Sequence, residues 1–306
     1  MKQTAFVFPG QGSQSVGMGK EFYDQFKPAR EVFEEADDTL CFSISKLCFE
    51  GPEETLKLTE NTQPAVLTAS IAALRVLQAE KGIESRLTAG HSLGEYSALV
   101  ASGALSFGEA VQTVRLRGRF MQEAVPVGEG SMAAVLGMER EEVEKICEEA
   151  AQGEVLSPAN FNCPGQIVIA GHTKAVERGI EMIKQKGKKA MLLQVSAPFH
   201  SPLMKPAGVR LNETLKGISV QSLRIPVVTN VEAQANTSPD RVKPLLVEQV
   251  SSPVRWEESM RRMTEDGIER ILEIGPGKVL SGLMKRIDPK VGTENLEDIQ
   301  SLKKIS

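Results

Sequence analysis

An α/β fold with a smaller unit inserted into it is what the sequence predicts, and three features carry that reading. Short apolar, partly β-branched runs alternate with helical patterns from the first residues onward. Two of those runs end in glycine-containing turns, Pro9-Gly10-Gln11-Gly12-Ser13 and Gly90-His91-Ser92-Leu93-Gly94, and α/β proteins place their sites beyond the carboxyl ends of strands. From about Val127 to Gly130 onward the order changes to strand, helix, two strands, helix, strand, the signature of a ferredoxin-like unit.

Thr4–Phe8 reads as a buried strand closed by the first glycine-rich loop. Helical patterns follow over Glu31–Thr39 and Ala65–Lys81, the second with Pro64 at its start. Leu87-Thr88-Ala89 is the next strand, and Glu95–Ala101 a helix that stops near Gly103. A further helix begins near Ser106-Phe107-Gly108-Glu109 and runs through Arg115, Arg117 and Met121. The inserted unit comprises strand Met132–Leu136, helix Glu141–Ala150, strands Val155–Phe161 and Gln166–Ala170, helix Lys174–Lys186 and strand Lys189–Val195. Ser196-Ala197-Pro198 returns the chain to the large domain, with strands Ile225–Thr229 and Arg270–Ile274 and a helix opening after Gly275-Pro276-Gly277. The expected division is therefore 1–127 plus 198–306 for the large catalytic domain and 128–197 for the small subdomain.

At 306 residues, with 41% apolar and 25% charged residues, the composition is that of a soluble globular protein with a substantial core. A net charge of -4 gives no overall nucleic-acid or membrane signal. No apolar stretch is long enough to span a bilayer, and the start of the chain leads into a strand, not a signal peptide. Cys41, Cys48, Cys147 and Cys163 lack metal-type spacing and are expected as reduced, buried thiols. The expectation is a cytoplasmic enzyme.

Strand, Gly-x-Ser-x-Gly, helix is the context of a nucleophile elbow, which makes Ser92 the candidate nucleophile. A serine needs a base, and the chain holds three histidines. His91 adjoins Ser92, so its side chain should diverge from the hydroxyl toward packing or a polar contact beside the elbow. His172, in Gly171-His172-Thr173, reads as an exposed turn residue. His200 lies in Ala197-Pro198-Phe199-His200-Ser201-Pro202, a segment held extended by its prolines, and by elimination is the best base. No Asp or Glu stands out to orient it, so either an inconspicuous acid or a backbone carbonyl does so. Arg115 and Arg117 lie on different faces of one helix. Either guanidinium can give a carboxylate a bidentate partner, and periodicity does not choose between them.

Phe8-Pro9-Gly10-Gln11-Gly12-Ser13-Gln14, Gly90-His91-Ser92-Leu93-Gly94-Glu95-Tyr96, Arg117 and Pro198-Phe199-His200-Ser201 resemble, in order and spacing, the malonyl-CoA:acyl carrier protein transacylases of type II fatty acid synthesis. The likeness continues to Glu273-Ile274-Gly275-Pro276-Gly277, nearly the whole chain. It implies an α/β-hydrolase-like large domain with a ferredoxin-like small one. It also implies ping-pong transfer of a malonyl group from malonyl-CoA to the phosphopantetheine thiol of acyl carrier protein, with no cofactor or metal. On this resemblance Ser92 is the nucleophile and His200 the general base. The backbone N–H groups of Gln11 and Leu93 form the oxyanion hole, Arg117 binds the malonyl carboxylate, and the Gln249 carbonyl orients His200. Gln63 lines the pocket, and Phe199 beside the base goes with malonyl over methylmalonyl in related enzymes. Asn160 and Asn162 are expected as loop residues near the cleft. The partners expected are malonyl-CoA and acyl carrier protein, with no nucleic acid or membrane, and the chain is expected to be a monomer. An acidic carrier protein needs a local basic surface on this acidic chain, for which Lys184, Lys186, Lys188, Lys189, Arg115 and Arg119 are candidates. A hydrolase or thioesterase uses the same elbow and histidine; Arg117, a buried cation that grips a second carboxylate, is what separates the two readings.

Overall fold

The computed structural model describes residues 3–305. Its strands are β1 (Thr4–Phe8), β2 (Leu87–Gly90), β3 (Gly130–Leu136), β4 (Leu156–Cys163), β5 (Gln166–His172), β6 (Lys189–Leu192), β7 (Val227–Val228), β8 (Ala235–Asn236), β9 (Arg270–Ile274) and β10 (Gly292–Leu296). They form a six-stranded sheet of order β10-β9-β1-β2-β7-β8 and a four-stranded sheet of order β4-β5-β3-β6. The large sheet is parallel from β10 to β7, with β8 antiparallel on its edge. The small sheet is antiparallel throughout, and its order is that of a ferredoxin-like unit.

β1 lies at the centre of the large sheet and is buried along its whole length. Its residues divide by parity, as a strand covered on both faces requires. Phe6 and Phe8 enter a core with helices Lys27–Leu40, Thr59–Lys81 and Phe107–Glu123, while Ala5 and Val7 meet helices Trp256–Glu265 and Val279–Ile287. Helix Thr59–Lys81 is buried on nearly every side between Thr59 and Leu77, which explains its weak amphipathic pattern. The small unit has its own core, in which Val135 and Ile169 pack against Val143, Ile146, Val176 and Ile180. Its β4 edge is joined to the large unit, since Phe161 N donates to Val254 O at 2.9 Å and Val254 N to Ala159 O at 2.8 Å.

Four expectations are corrected. Pro64 stands inside helix Thr59–Lys81, not at its start. Proline has no N–H to give the preceding turn, and that first turn is tied to helix Glu53–Leu56 by side chains, with Asn61 Nδ2 donating to Thr55 O at 3.0 Å and Thr62 Oγ1 to Leu56 O at 2.6 Å. β6 ends at Leu192, because after one last bond from Leu193 N to Met132 O the chain turns into the cleft. The strand expected over Ile225–Thr229 shrinks to Val227–Val228, which follows a proline. Cys41 is exposed where helix Lys27–Leu40 ends in a left-handed residue, whereas Cys48, Cys147 and Cys163 are buried thiols. β8 and β10 carried no recognised pattern; β8 has two residues, and β10 (Gly-Thr-Glu-Asn-Leu) is mostly polar and half-buried. No helix among the described residues is long and apolar enough to cross a membrane.

Candidate active site

β2 ends at Gly90, and helix Gly94–Ser102 begins four residues later. Between them Ser92 adopts φ 52°, a left-handed conformation that costs a non-glycine residue strain. Both elbow glycines are required by close approach. A Cβ on Gly90 would fall 1.8 Å from the Gly94 carbonyl carbon, and one on Gly94 would fall 2.1 Å from Phe8 O. Asn230 fastens the turn, accepting from Ser92 N at 2.7 Å and donating to Gly90 O at 2.7 Å.

His200 also sits in the left-handed region, at φ 58°, and is buried. Its Nε2 lies 2.7 Å from Ser92 Oγ and its Nδ1 lies 2.9 Å from the main-chain oxygen of Gln249. A carbonyl oxygen only accepts, so the Nδ1 proton belongs to that bond and Nε2 is left as the acceptor for the serine hydroxyl. Burial, and next the positive charge of Arg117, push the histidine pKa down to about 3, so the imidazole is neutral at ordinary pH. The question left by the absent acid is answered by this carbonyl.

The two arginines lie in different surroundings. Arg117 is 1% exposed. Its Nη1 donates to Gln63 Oε1 at 2.7 Å, and its Nη2 donates to Gln249 Oε1 at 2.9 Å and to Ser92 Oγ at 3.0 Å. None of these acceptors is a carboxylate, so the guanidinium keeps its charge available toward the pocket. Arg115 is turned away, donating to Leu40 O at 3.2 Å with its guanidinium 4.0 Å from the Phe42 ring centre.

The pocket over Ser92 opens between the two units. Gln11, Gln63, Ser92, Leu93, Arg117, Phe199 and His200 line it from the large unit, and Met132, Asn160, Val168, Leu193 and Val195 from the small unit and the segment that leaves it. The N–H groups of Gln11 and Leu93 have no protein acceptor among the described residues, and the helix that follows Leu93 adds its positive dipole end. The arrangement has the parts for acyl transfer: a hydroxyl, a neutral base, two unpaired N–H donors and a cation beside the reacting oxygen. Among the described residues no cluster of His, Cys, Asp or Glu is placed to hold a metal ion.

Other residues fall differently from expectation or were not foreseen. His91 diverges from Ser92 as expected, with Nε2 2.9 Å from Asn162 Oδ1 and its ring 5.6 Å from that of Trp256. His172 is not a free turn residue; its Nδ1 accepts from Val155 N at 2.9 Å. Asn160 and Asn162 both lie within β4: Asn160 pairs with Val168 of β5 and bridges to Val254, while Asn162 falls at the register shift between Phe161 and Cys163. Asn230, Glu95 and the side chain of Gln249 went unrecognised in the sequence. Glu95 alone carried a signal, an acid immediately after the elbow in an otherwise apolar helix.

A strained serine on a strand–helix turn, with a carbonyl-oriented histidine and a buried cation, is the arrangement of a serine enzyme suited to acyl transfer. A family described as acyl transferase domain matches residues 5–297. A malonyl CoA-acyl carrier protein transacylase of Bacillus subtilis is 51% identical over 304 residues, covering 99% of this chain and 96% of that protein. A crystal structure of an acyl carrier protein S-malonyltransferase from Vibrio cholerae is 46% identical, with a TM-score of 0.97 and 99% and 100% of the two chains covered. A malonyl-transacylase solved with a type II PKS acyl-carrier protein has a TM-score of 0.96 at 46% identity, with 98% of each chain covered. The chain belongs to the acyl transferase family, and within it to the malonyl CoA-acyl carrier protein transacylases.

Proposed function

We propose that this protein transfers the malonyl group of malonyl-CoA to the phosphopantetheine thiol of acyl carrier protein through a malonyl ester of Ser92, supplying fatty acid biosynthesis. One observation carries the reading: Ser92 Oγ lies within hydrogen-bond distance of both a neutral histidine and a buried arginine that no carboxylate pairs. A hydrolase of uncharged esters has no use for that cation.

The malonyl carboxylate binds Arg117, exchanging the serine contact for a charge-assisted one. Ser92 Oγ attacks the thioester carbonyl as its proton passes to His200 Nε2. The oxyanion takes the N–H groups of Gln11 and Leu93, whose removal in such sites costs about 3 kcal/mol. Collapse breaks the C–S bond, and the CoA sulfur leaves with the proton from His200. The carrier-protein thiol then gives its proton to His200 and attacks the ester; the serine oxygen leaves and is reprotonated by His200. One thioester is exchanged for another, so the chain needs no redox or metal cofactor. Gln63 and Gln249 hold Arg117 in place, and the Gln249 carbonyl fixes the histidine tautomer. Phe199 lines the pocket beside the base, and an aromatic of that bulk favours malonyl over a substrate with an α-methyl group, a discrimination of about 1–3 kcal/mol.

We take the division 1–127 plus 198–306 and 128–197 as that of catalytic domain and subdomain. The protein acts in the cytoplasm as a monomer, without nucleic acid or membrane.

Intact-mass spectrometry after incubation with malonyl-CoA is expected to show one malonyl adduct that discharges onto holo carrier protein and persists with the apo form. An adduct that discharges equally fast into water would make the protein a hydrolase. Lys184, Lys186, Lys188 and Lys189 are all exposed. Changing them together to glutamine is expected to slow discharge to the carrier protein and flatten its salt dependence, leaving acylation by malonyl-CoA unchanged. Equal losses in both half-reactions would remove this surface from the docking site.

A further inference from the structure

We infer that Glu95 is a positioning residue for the malonyl carboxylate, pinning the side-chain amide of Gln249 so that its oxygen, and not its NH2 group, faces Arg117. The inference rests on the transfer proposed above. Both protons of Gln249 Nε2 are committed, one to Glu95 Oε2 at 2.7 Å and one to Ser92 O at 3.0 Å. Ser92 O is a carbonyl, which only accepts, and Glu95 Oε2 accepts here from two donors, so the amide nitrogen must lie on their side and Oε1 on the side of Arg117. A flipped amide would set oxygen against two oxygens and NH2 against a guanidinium. The same Oε2 accepts from Asn230 N at 3.0 Å, which ties the residue holding the elbow to the residue holding the cation.

Glu95 is 2% exposed, and a carboxylate is costly to bury. Burial raises its pKa to about 7, against the pull of Asn230, Gln249 and Arg117. The alternative of bonding a carboxylate directly to Arg117 would block the substrate. A neutral amide between acid and arginine avoids that competition. It keeps the acid close and leaves the guanidinium free to take the incoming carboxylate. The charge sits in the first turn of helix Gly94–Ser102, where the helix dipole favours it.

The readout is the ratio of kcat/KM for malonyl-CoA to that for acetyl-CoA, measured on full-length variants whose fold is checked by near-ultraviolet circular dichroism. Damage to the elbow alone lowers both substrates alike and leaves the ratio unchanged. Glu95→Ala is expected to lower the ratio about tenfold, the worth of one hydrogen bond to a charged group. Glu95→Gln keeps an acceptor at the same place and is expected to stay within about threefold of wild type. Gln249→Met, which retains the main-chain carbonyl, is expected to lower the ratio at least as far, and adding Glu95→Ala to it to lower the ratio no further. A folded Glu95→Ala protein with the wild-type ratio, a Glu95→Gln protein no better than it, or an additive double variant would overturn the inference. Where Glu95→Ala does not fold, Gln249→Met decides, and an unchanged ratio there is equally fatal. A wild-type enzyme that forms no malonyl adduct would sink the proposed function instead, a result separate from all of these.

Discussion

Replacing Ser92 by alanine is expected to abolish the malonyl adduct and reduce transfer to carrier protein by roughly 10⁴-fold or more, the scale seen when a nucleophile–base pair is broken. The hydroxyl is the meeting point of the site: it donates to His200 Nε2 at 2.7 Å and accepts from Arg117 Nη2 at 3.0 Å. Binding of malonyl-CoA should survive, because Arg117 keeps Gln63 and Gln249 as partners and loses only its contact to the serine. His200→Ala should fall nearly as far, and the double variant little further, since the two groups act as one unit. Equilibrium binding and intact mass on the same samples separate the two effects; a Ser92→Ala protein that still acquires a malonyl group would place the nucleophile elsewhere.

The histidine also sets a pH dependence. Its folded pKa lies at about 3, below the ordinary 6.5, through burial first and Arg117 next. A base must be neutral to act, so a lowered pKa extends the active form of His200 toward acid, and that form is lost as pH falls through the folded value. Bound malonyl neutralises Arg117 and relieves the second of those causes, which raises the histidine pKa in the complex. The acid limb of kcat with malonyl-CoA should therefore lie above that of kcat/KM, which reports the free enzyme. With acetyl-CoA the two limbs should lie closer together.

Those parts of the site that depend on local pattern could be read from the chain. The elbow announces itself because strand, tight turn and helix are contiguous, and β1 because a strand buried on both faces is an unbroken apolar run. The inserted unit was legible as an order of elements, although its β6 stops at Leu192 where tertiary contacts take the chain away from its neighbour. Arg117 could not be separated from Arg115 by spacing, since what distinguishes them is whether Gln63 and Gln249 or Leu40 and Phe42 lie opposite. Asn230 and the amide of Gln249 were invisible for a related reason. They lie 138 and 157 residues from Ser92 along the chain and matter through single hydrogen bonds that no local pattern records.

Arg117→Ala is expected to lower kcat/KM for malonyl-CoA by about 10²–10³-fold, the cost of losing one partner of a buried charge pair. For acetyl-CoA the same change should be much milder, because that substrate offers no second carboxylate and the wild-type pocket already burdens it with an unpaired cation. The substrate preference should thus narrow by at least tenfold, with the loss residing mainly in KM if the arginine grips substrate and transition state alike. Arg117→Lys should recover only part of it. An ammonium is a point charge, whereas this guanidinium reaches Gln63 on one nitrogen and Gln249 and the serine on the other, a fork that lysine cannot reproduce. Removing the charge also deletes the second cause that depresses the His200 pKa, so the acid limb for acetyl-CoA should move upward in the alanine variant. Parallel losses for both substrates, with no movement of that limb, would make Arg117 a structural cation and reopen the esterase reading. A selective loss with a shifted limb would locate in one residue both the choice of acyl group and the tuning of the base.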